Sequence, residues 1–135
     1  MTFVVDASVV LAWALDDEQS GYAELVVRRL LTAGGVAPAH WPLEVANAIW
    51  SAQRRGRITA TDVQKVQGLL HALPIEIIPV ELGTALGSIE MARAHDLSIY
   101  DATYIELAAF RGLDLATIDK RLAAACRTVG VPLIA

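Results

Sequence analysis

Residues 3–15 read FVVDASVVLAWAL, an apolar run broken once, by Asp6. Residues 2–5 (TFVV) are aromatic and β-branched, which suits a buried strand, and residues 7–15 read as a helix. A carboxylate lodged between two apolar elements carries a heavy desolvation cost unless it is paired or holds a cation. The stretch therefore predicts a strand inside a covered sheet with an acid at its carboxyl end.

Outward from there, short strands alternate with longer helices. A helix at 21–31 follows the acidic stretch Asp16, Asp17 and Glu18, and Gly34 and Gly35 break the chain before a strand at 36–39. Pro42 suits a first helical turn and opens a helix to about Arg54. Thr59 and Asp62 have capping-box spacing ahead of a helix to about Ala72. Pro74 stops it, a strand follows at 75–79, and a helix at 82–94. The short stretch 97–99 precedes a helix at 100–111. A strand at 114–117, a helix at 120–128 and a strand at 131–134 complete the chain. Alternation of this kind implies one α/β domain over residues 1–135, a parallel sheet with helices on both faces. Ligands of such sheets bind beyond the carboxyl ends of the strands. Asp6, Asp101 and Asp119 each follow a predicted strand and so converge on that edge.

Each aspartate also has a local reading, because Asp at a helix N-terminus accepts free amide hydrogens; Ser98 and Asp101 stand three apart, as in a capping box. Glu44 strengthens the shared-site reading. It lies in the first turn of the helix after the second strand, and with Asn47 and Ser51 it forms a polar stripe free of Lys and Arg until Arg54. Four carboxylates in one small volume repel one another and raise one another's pKa values unless a cation lies between them. Oxygen ligands favour a hard ion, Mg²⁺ or Mn²⁺, over zinc.

Composition bounds the rest. The 135 residues suit one domain; 55 % are hydrophobic and 19 % charged, and mean hydropathy is +0.46, too apolar for a disordered chain. The sequence shows no targeting or membrane segment, and its single cysteine, Cys126, forms no internal disulfide, which together predict a cytoplasmic protein without a membrane partner. Net charge is −4, from 11 basic and 15 acidic residues, and speaks against a nucleic-acid binder. Setting the four candidate site acids aside leaves 11 of each sign, so the remainder is balanced.

Four segments, FVVDASVVLAWAL, WPLEVANAIW, SIYDATYIELA and LATIDKRLAAA, stand in an order and spacing that resemble a PIN domain, specifically the VapC-type ribonuclease toxins. The resemblance covers residues 3 to 125, while about 57 to 86 match only in general character. It implies a three-layer fold with a central parallel sheet of order 3-2-1-4-5. It also implies Asp6, Glu44, Asp101 and Asp119 as the catalytic and metal-binding acids for Mg²⁺ or Mn²⁺, with Asp6 and Asp101 nearest the principal ion. Ser8, Asn47 and Thr117 match supporting polar positions. The implied activity is endoribonucleolytic hydrolysis of RNA phosphodiesters, and the implied partners are RNA, a cognate VapB-like antitoxin and a second copy in a homodimer.

Rival readings lack their residues. A receiver-like phosphoacceptor has adjacent acids after its first strand, and a haloacid-dehalogenase-type phosphatase has Asp-x-Asp; here Asp6 is followed by Ala7 and Ser8. A non-catalytic PIN scaffold usually lacks one of the four acids. Arg54, Arg55 and Arg57 either line an RNA track or complement a helix C-terminus. His40 stands four residues before Glu44 with Pro42 between them. No histidine pair occupies a motif, which disfavours zinc or 2′-hydroxyl acid–base cleavage. Cys126 and the tryptophans Trp13, Trp41 and Trp50 read as core or interface, and Asp16, Asp17, Glu18 and Asp114 as solvated acids.

Overall fold

The computed structural model describes residues 1–15 and 20–135. Its elements are β1 (Phe3–Val5), α1 (Ala7–Ala14), α2 (Gly21–Ala33), β2 (Gly35–Pro38), α3 (Trp41–Arg54), α4 (Ala60–His71), β3 (Ile75–Ile78), α5 (Leu82–Gly87), α6 (Ile89–His95), α7 (Ile99–Arg111), β4 (Leu115–Ala116) and α8 (Lys120–Val129). All strand pairings are parallel and the order is β3-β2-β1-β4.

Phe3, Val4 and Val5 are fully buried at the centre of the sheet. Burying side chains of this size contributes roughly 1.5–3 kcal/mol each. Val4 pairs with Val36 on one side and Leu115 on the other. The turn into β2 needs its two glycines. Gly34 has φ +73, and a Cβ on Gly35 would lie 2.5 Å from Leu30 Cδ2. Cys126 is core, as expected, and burial pushes its thiol up to about 11.

Three expectations change. The segment 131–134 makes one parallel bridge, Leu115 to Leu133, in the fifth position rather than a full strand. Pro132 accepts from the Leu115 N–H but has no N–H to extend the ladder. The helix expected over 82–94 is two helices, α5 and α6, meeting at buried Ser88, whose hydroxyl donates to the Thr84 carbonyl at 3.2 Å. Such back-bonding and the weak helix formers Gly83 and Gly87 favour the break. The stretch 97–99 forms no strand; Ser98 instead caps α7, its Oγ accepting from the Asp101 N–H at 3.0 Å. Asp16, Asp17 and Glu18 lie outside the described residues.

The sheet is covered unevenly. β1, β2 and β4 are buried, whereas β3 is only partly so and α5 and α6 bury none of their own side chains. Ile77, Leu82, Leu86, Ile89 and Phe110 are exposed in and around this flank.

Candidate active site

The carboxyl ends of β1 and β4 meet at Asp6. Its backbone N–H donates to Ala116 O at 3.0 Å, which carries the end of β1 onto the end of β4. Asp6 is the residue before α1, yet its side chain makes no capping bond. Instead, Oδ2 accepts from Ser8 Oγ and from Thr117 Oγ1, both at 2.7 Å. Each hydroxyl is itself held: Ser8 Oγ accepts from the Ile118 N–H at 3.3 Å, and Thr117 Oγ1 from the Asp119 N–H at 3.0 Å. Burial raises the Asp6 pKa, the two hydroxyls oppose that, and the Glu44 charge adds to it. The capping reading of Asp6 is therefore set aside, and Ser8 and Thr117 stand where supporting residues were expected.

Asp119 is exposed and does cap: Oδ1 accepts from the Leu122 N–H at the start of α8, at 2.9 Å. Asp101 does not follow a strand, because its position comes from the first turn of α7. Its own N–H satisfies Ser98, and its half-buried carboxyl is pushed up to about 6, chiefly by burial and then by Asp6, Asp119 and Glu44. The Asp101 carboxyl thus feels the charges of Asp6, Asp119 and Glu44 in addition to its burial.

Glu44 enters from the first turn of α3. Pro42 does not separate it from His40. The first helical turn tolerates proline, and the four-residue spacing brings His40 Nδ1 to 2.5 Å from Glu44 Oε1. Tyr104 Oη donates to the same oxygen at 2.8 Å. His40 Nε2 is 2.6 Å from Thr103 Oγ1, whose hydroxyl donates to the Tyr100 carbonyl at 2.6 Å. Both ring nitrogens are thus engaged within the protein. Burial, with Asp6 and Glu44 adding to it, pushes the Tyr104 phenol upward, which keeps it a proton donor. These partners of Glu44 escaped the sequence reading. The His40–Glu44 spacing was the available signal, and the pairing of α3 with α7 was not.

Among the described residues, no three His, Cys, Asp or Glu side chains stand close enough to enclose a bare ion. The donor set, all carboxylate oxygen with two orienting hydroxyls, fits a hydrated ion instead: Mg²⁺ keeps several waters and is commonly held by one or two carboxylates. Asn47 is exposed on α3, one turn after Glu44, and Ser51 is partly buried. Arg54 stacks over Trp50, with its guanidinium carbon 5.8 Å from the ring centre, and Arg54, Arg55 and Arg57 are all exposed.

This arrangement of acids coincides with a family match: residues 3–128 match the PIN domain. The chain belongs to the PIN-domain family. Among PIN-domain relatives, a ribonuclease VapC3 of Pyrobaculum aerophilum is 31 % identical over 127 residues, covering 91 % of this chain and 93 % of that protein. A ribonuclease VapC3 of Mycobacterium tuberculosis is 34 % identical over 122 residues, covering 90 % and 85 %. A solved toxin–antitoxin complex from Klebsiella pneumoniae contains a chain of the same fold, with TM-score 0.64 at 17 % identity over 90 % of each chain. Among the described residues of this PIN domain, no helix is long and apolar enough to cross a membrane.

Proposed function

We propose that this PIN domain is a Mg²⁺- or Mn²⁺-dependent endoribonuclease, the toxin of a VapBC-type pair, with Asp6, Glu44, Asp101 and Asp119 as its catalytic acids. The observation carrying this reading is the buried Asp6 carboxylate at the end of β1, its Oδ2 held by Ser8 and Thr117, and the half-buried Asp101 carboxyl pushed up by burial and the neighbouring acids agrees with it. Neighbouring negative charges of this kind are stabilised by a cation between them.

A bound divalent ion supplies charge neutralisation at the scissile phosphate and makes water acidic enough to serve as nucleophile. Asp6 and Asp101 would hold the principal ion, and Glu44 and Asp119 act through water or a second ion. Ser8 and Thr117 fix Asp6 Oδ2, so this buried carboxylate keeps one orientation when substrate arrives. Asn47, exposed on the same helix as Glu44, is available to substrate phosphate. Arg54, Arg55 and Arg57 extend along and beyond α3 as a track for the RNA backbone.

The VapC names of the relatives and the toxin–antitoxin complex support a VapB-like antitoxin as partner in the cytoplasm. The exposed apolar flank of Ile77, Leu82, Leu86 and Phe110 supports self-association as a homodimer.

The test is cleavage of total RNA by the purified protein with Mg²⁺ or Mn²⁺, with end mapping. Asp6→Asn should lose activity by on the order of 10²–10³-fold, and excess chelator should abolish it. Cleavage that persists in chelator, or in pure Asp6→Asn, overturns the reading.

A further inference from the structure

Glu44 is held unlike the other three acids. One of its oxygens, Oε1, takes both protein contacts, from His40 Nδ1 and Tyr104 Oη. Among the described residues no hydrogen bond reaches Oε2. The His40 ring that makes the first contact is itself fixed on every side. Glu44 Oε1 can only accept, so His40 Nδ1 donates to it, while Nε2 lies 2.6 Å from Thr103 Oγ1, which also lies 2.6 Å from the Tyr100 carbonyl. The ring also packs edge-on against Tyr100, with centroids 5.1 Å apart at 73°, and against Tyr104, 5.2 Å apart at 88°. Three residues of one helix, Tyr100, Thr103 and Tyr104 on α7, therefore orient a ring that grips a residue of another, Glu44 on α3.

We propose that His40 is a positioning residue of the acidic site: clamped by α7, it pins Glu44 Oε1 and leaves Oε2 available to a hydrated ion. The inference rests on the metallonuclease reading and deepens it. A free glutamate has three side-chain torsions, and here two donors on one oxygen remove that freedom before the ion binds. His40 also ties the first turn of α3 to the first turn of α7, where Asp101 sits, so one ring sets the spacing of two acids on different helices. Partners that orient a ligand typically matter by about 10–100-fold in metal affinity or activity.

Two substitutions separate positioning from packing. His40→Phe keeps a ring between the tyrosines and deletes both nitrogen contacts. His40→Asn gives up the ring and restores an amide donor near the place of Nδ1. Mn²⁺ affinity, measured by electron paramagnetic resonance on protein whose cooperative melting has been verified, should fall about 10-fold in His40→Phe and recover to within about 3-fold of the parent in His40→Asn. In a Glu44→Gln background, His40→Phe should add less than about 2-fold, because its effect passes through Glu44. The proposal is overturned if His40→Phe binds Mn²⁺ as the parent does, if His40→Asn binds more weakly than His40→Phe, or if the loss persists undiminished in Glu44→Gln. A parent that binds no Mn²⁺ overturns the metallonuclease reading and this inference together, whereas normal parent binding with any of the three adverse results overturns the inference alone.

Discussion

The two walls of the acidic site are built by different means. The strand wall consists of Asp6, Ser8 and Thr117 at the ends of β1 and β4, where the backbone is locked by the ladder and Asp6 is buried. The helix wall consists of Glu44 and Asp101 on the first turns of α3 and α7, partly open to solvent and held through side chains. On the strand wall the core decides where the carboxylate sits, and neighbouring hydroxyls soften the cost of burying it. On the helix wall, position depends on capping and on a ring packed between tyrosines. Substitutions on the first wall should therefore disturb stability and chemistry together, and on the second chiefly ion affinity and proton balance.

The largest contrast is expected from the charges. Asp101→Asn should lower RNA cleavage by on the order of 10²-fold or more, while raising the stability of the metal-free protein near neutral pH. The sign follows from the shift. The Asp101 carboxyl is pushed from 3.8 to about 6 in the folded protein. A raised acid penalises the folded state fully above its folded value, and the penalty fades as pH falls through about 6 towards 4. Asp6 contributes in the same direction. Metal-free parent should thus gain on the order of 1 kcal/mol from Asp101 between pH 7.5 and pH 4.5, the shift being discounted because the carboxyl is half open to solvent, read by urea unfolding, and Asp101→Asn should flatten that part of the slope. An unchanged slope would show that neither burial nor the neighbouring acids raise the Asp101 carboxyl.

A smaller effect isolates the strand wall. Thr117→Val deletes the donor to Asp6 Oδ2 and the acceptor for the Asp119 N–H. Leaving buried polar groups short of partners costs about 1–3 kcal/mol, so urea unfolding at pH 7.5 should register that loss. Ser8→Ala should cost less, about 1 kcal/mol, because Ser8 is only partly buried and water can replace its hydroxyl. If Tyr104→Phe on the helix wall destabilises more than Thr117→Val, the contrast between the walls is wrong.

The strand wall was legible in the sequence, and the helix wall only in part. An acid inside FVVDASVV has few structural explanations, and strand-end placement follows from the parallel sheet alone. Asp101 was expected to follow a strand, but Ser98 begins a helix there, and the residue's position comes from the first turn of α7. The contacts of His40 with Thr103 and of Glu44 with Tyr104 depend on how α3 packs beside α7, residues 60 or more apart in the chain. Local periodicity carries no information about that pairing. Likewise the single bridge at Leu133 reflects a proline that interrupts a ladder, although the apolar pattern of residues 131–134 reads as a strand.

The smallest effect lies farthest from both walls. Arg55 follows the last residue of α3 and stands eleven residues beyond Glu44, about 16 Å along the axis. If RNA follows this helix from the acids outward, Arg55→Glu removes one phosphate contact and introduces repulsion. The apparent Kd of Asp6→Asn protein for single-stranded RNA should rise by roughly 3–10-fold at low salt, and the slope of log affinity against log salt should fall by about 0.7 for the lost contact. Cleavage chemistry at saturating RNA should be unchanged, because Arg55 is remote from the carboxylates. A salt slope identical to that of the parent would assign the arginines to the end of the helix, where their charge offsets the free carbonyls, and would confine substrate recognition to the two acidic walls.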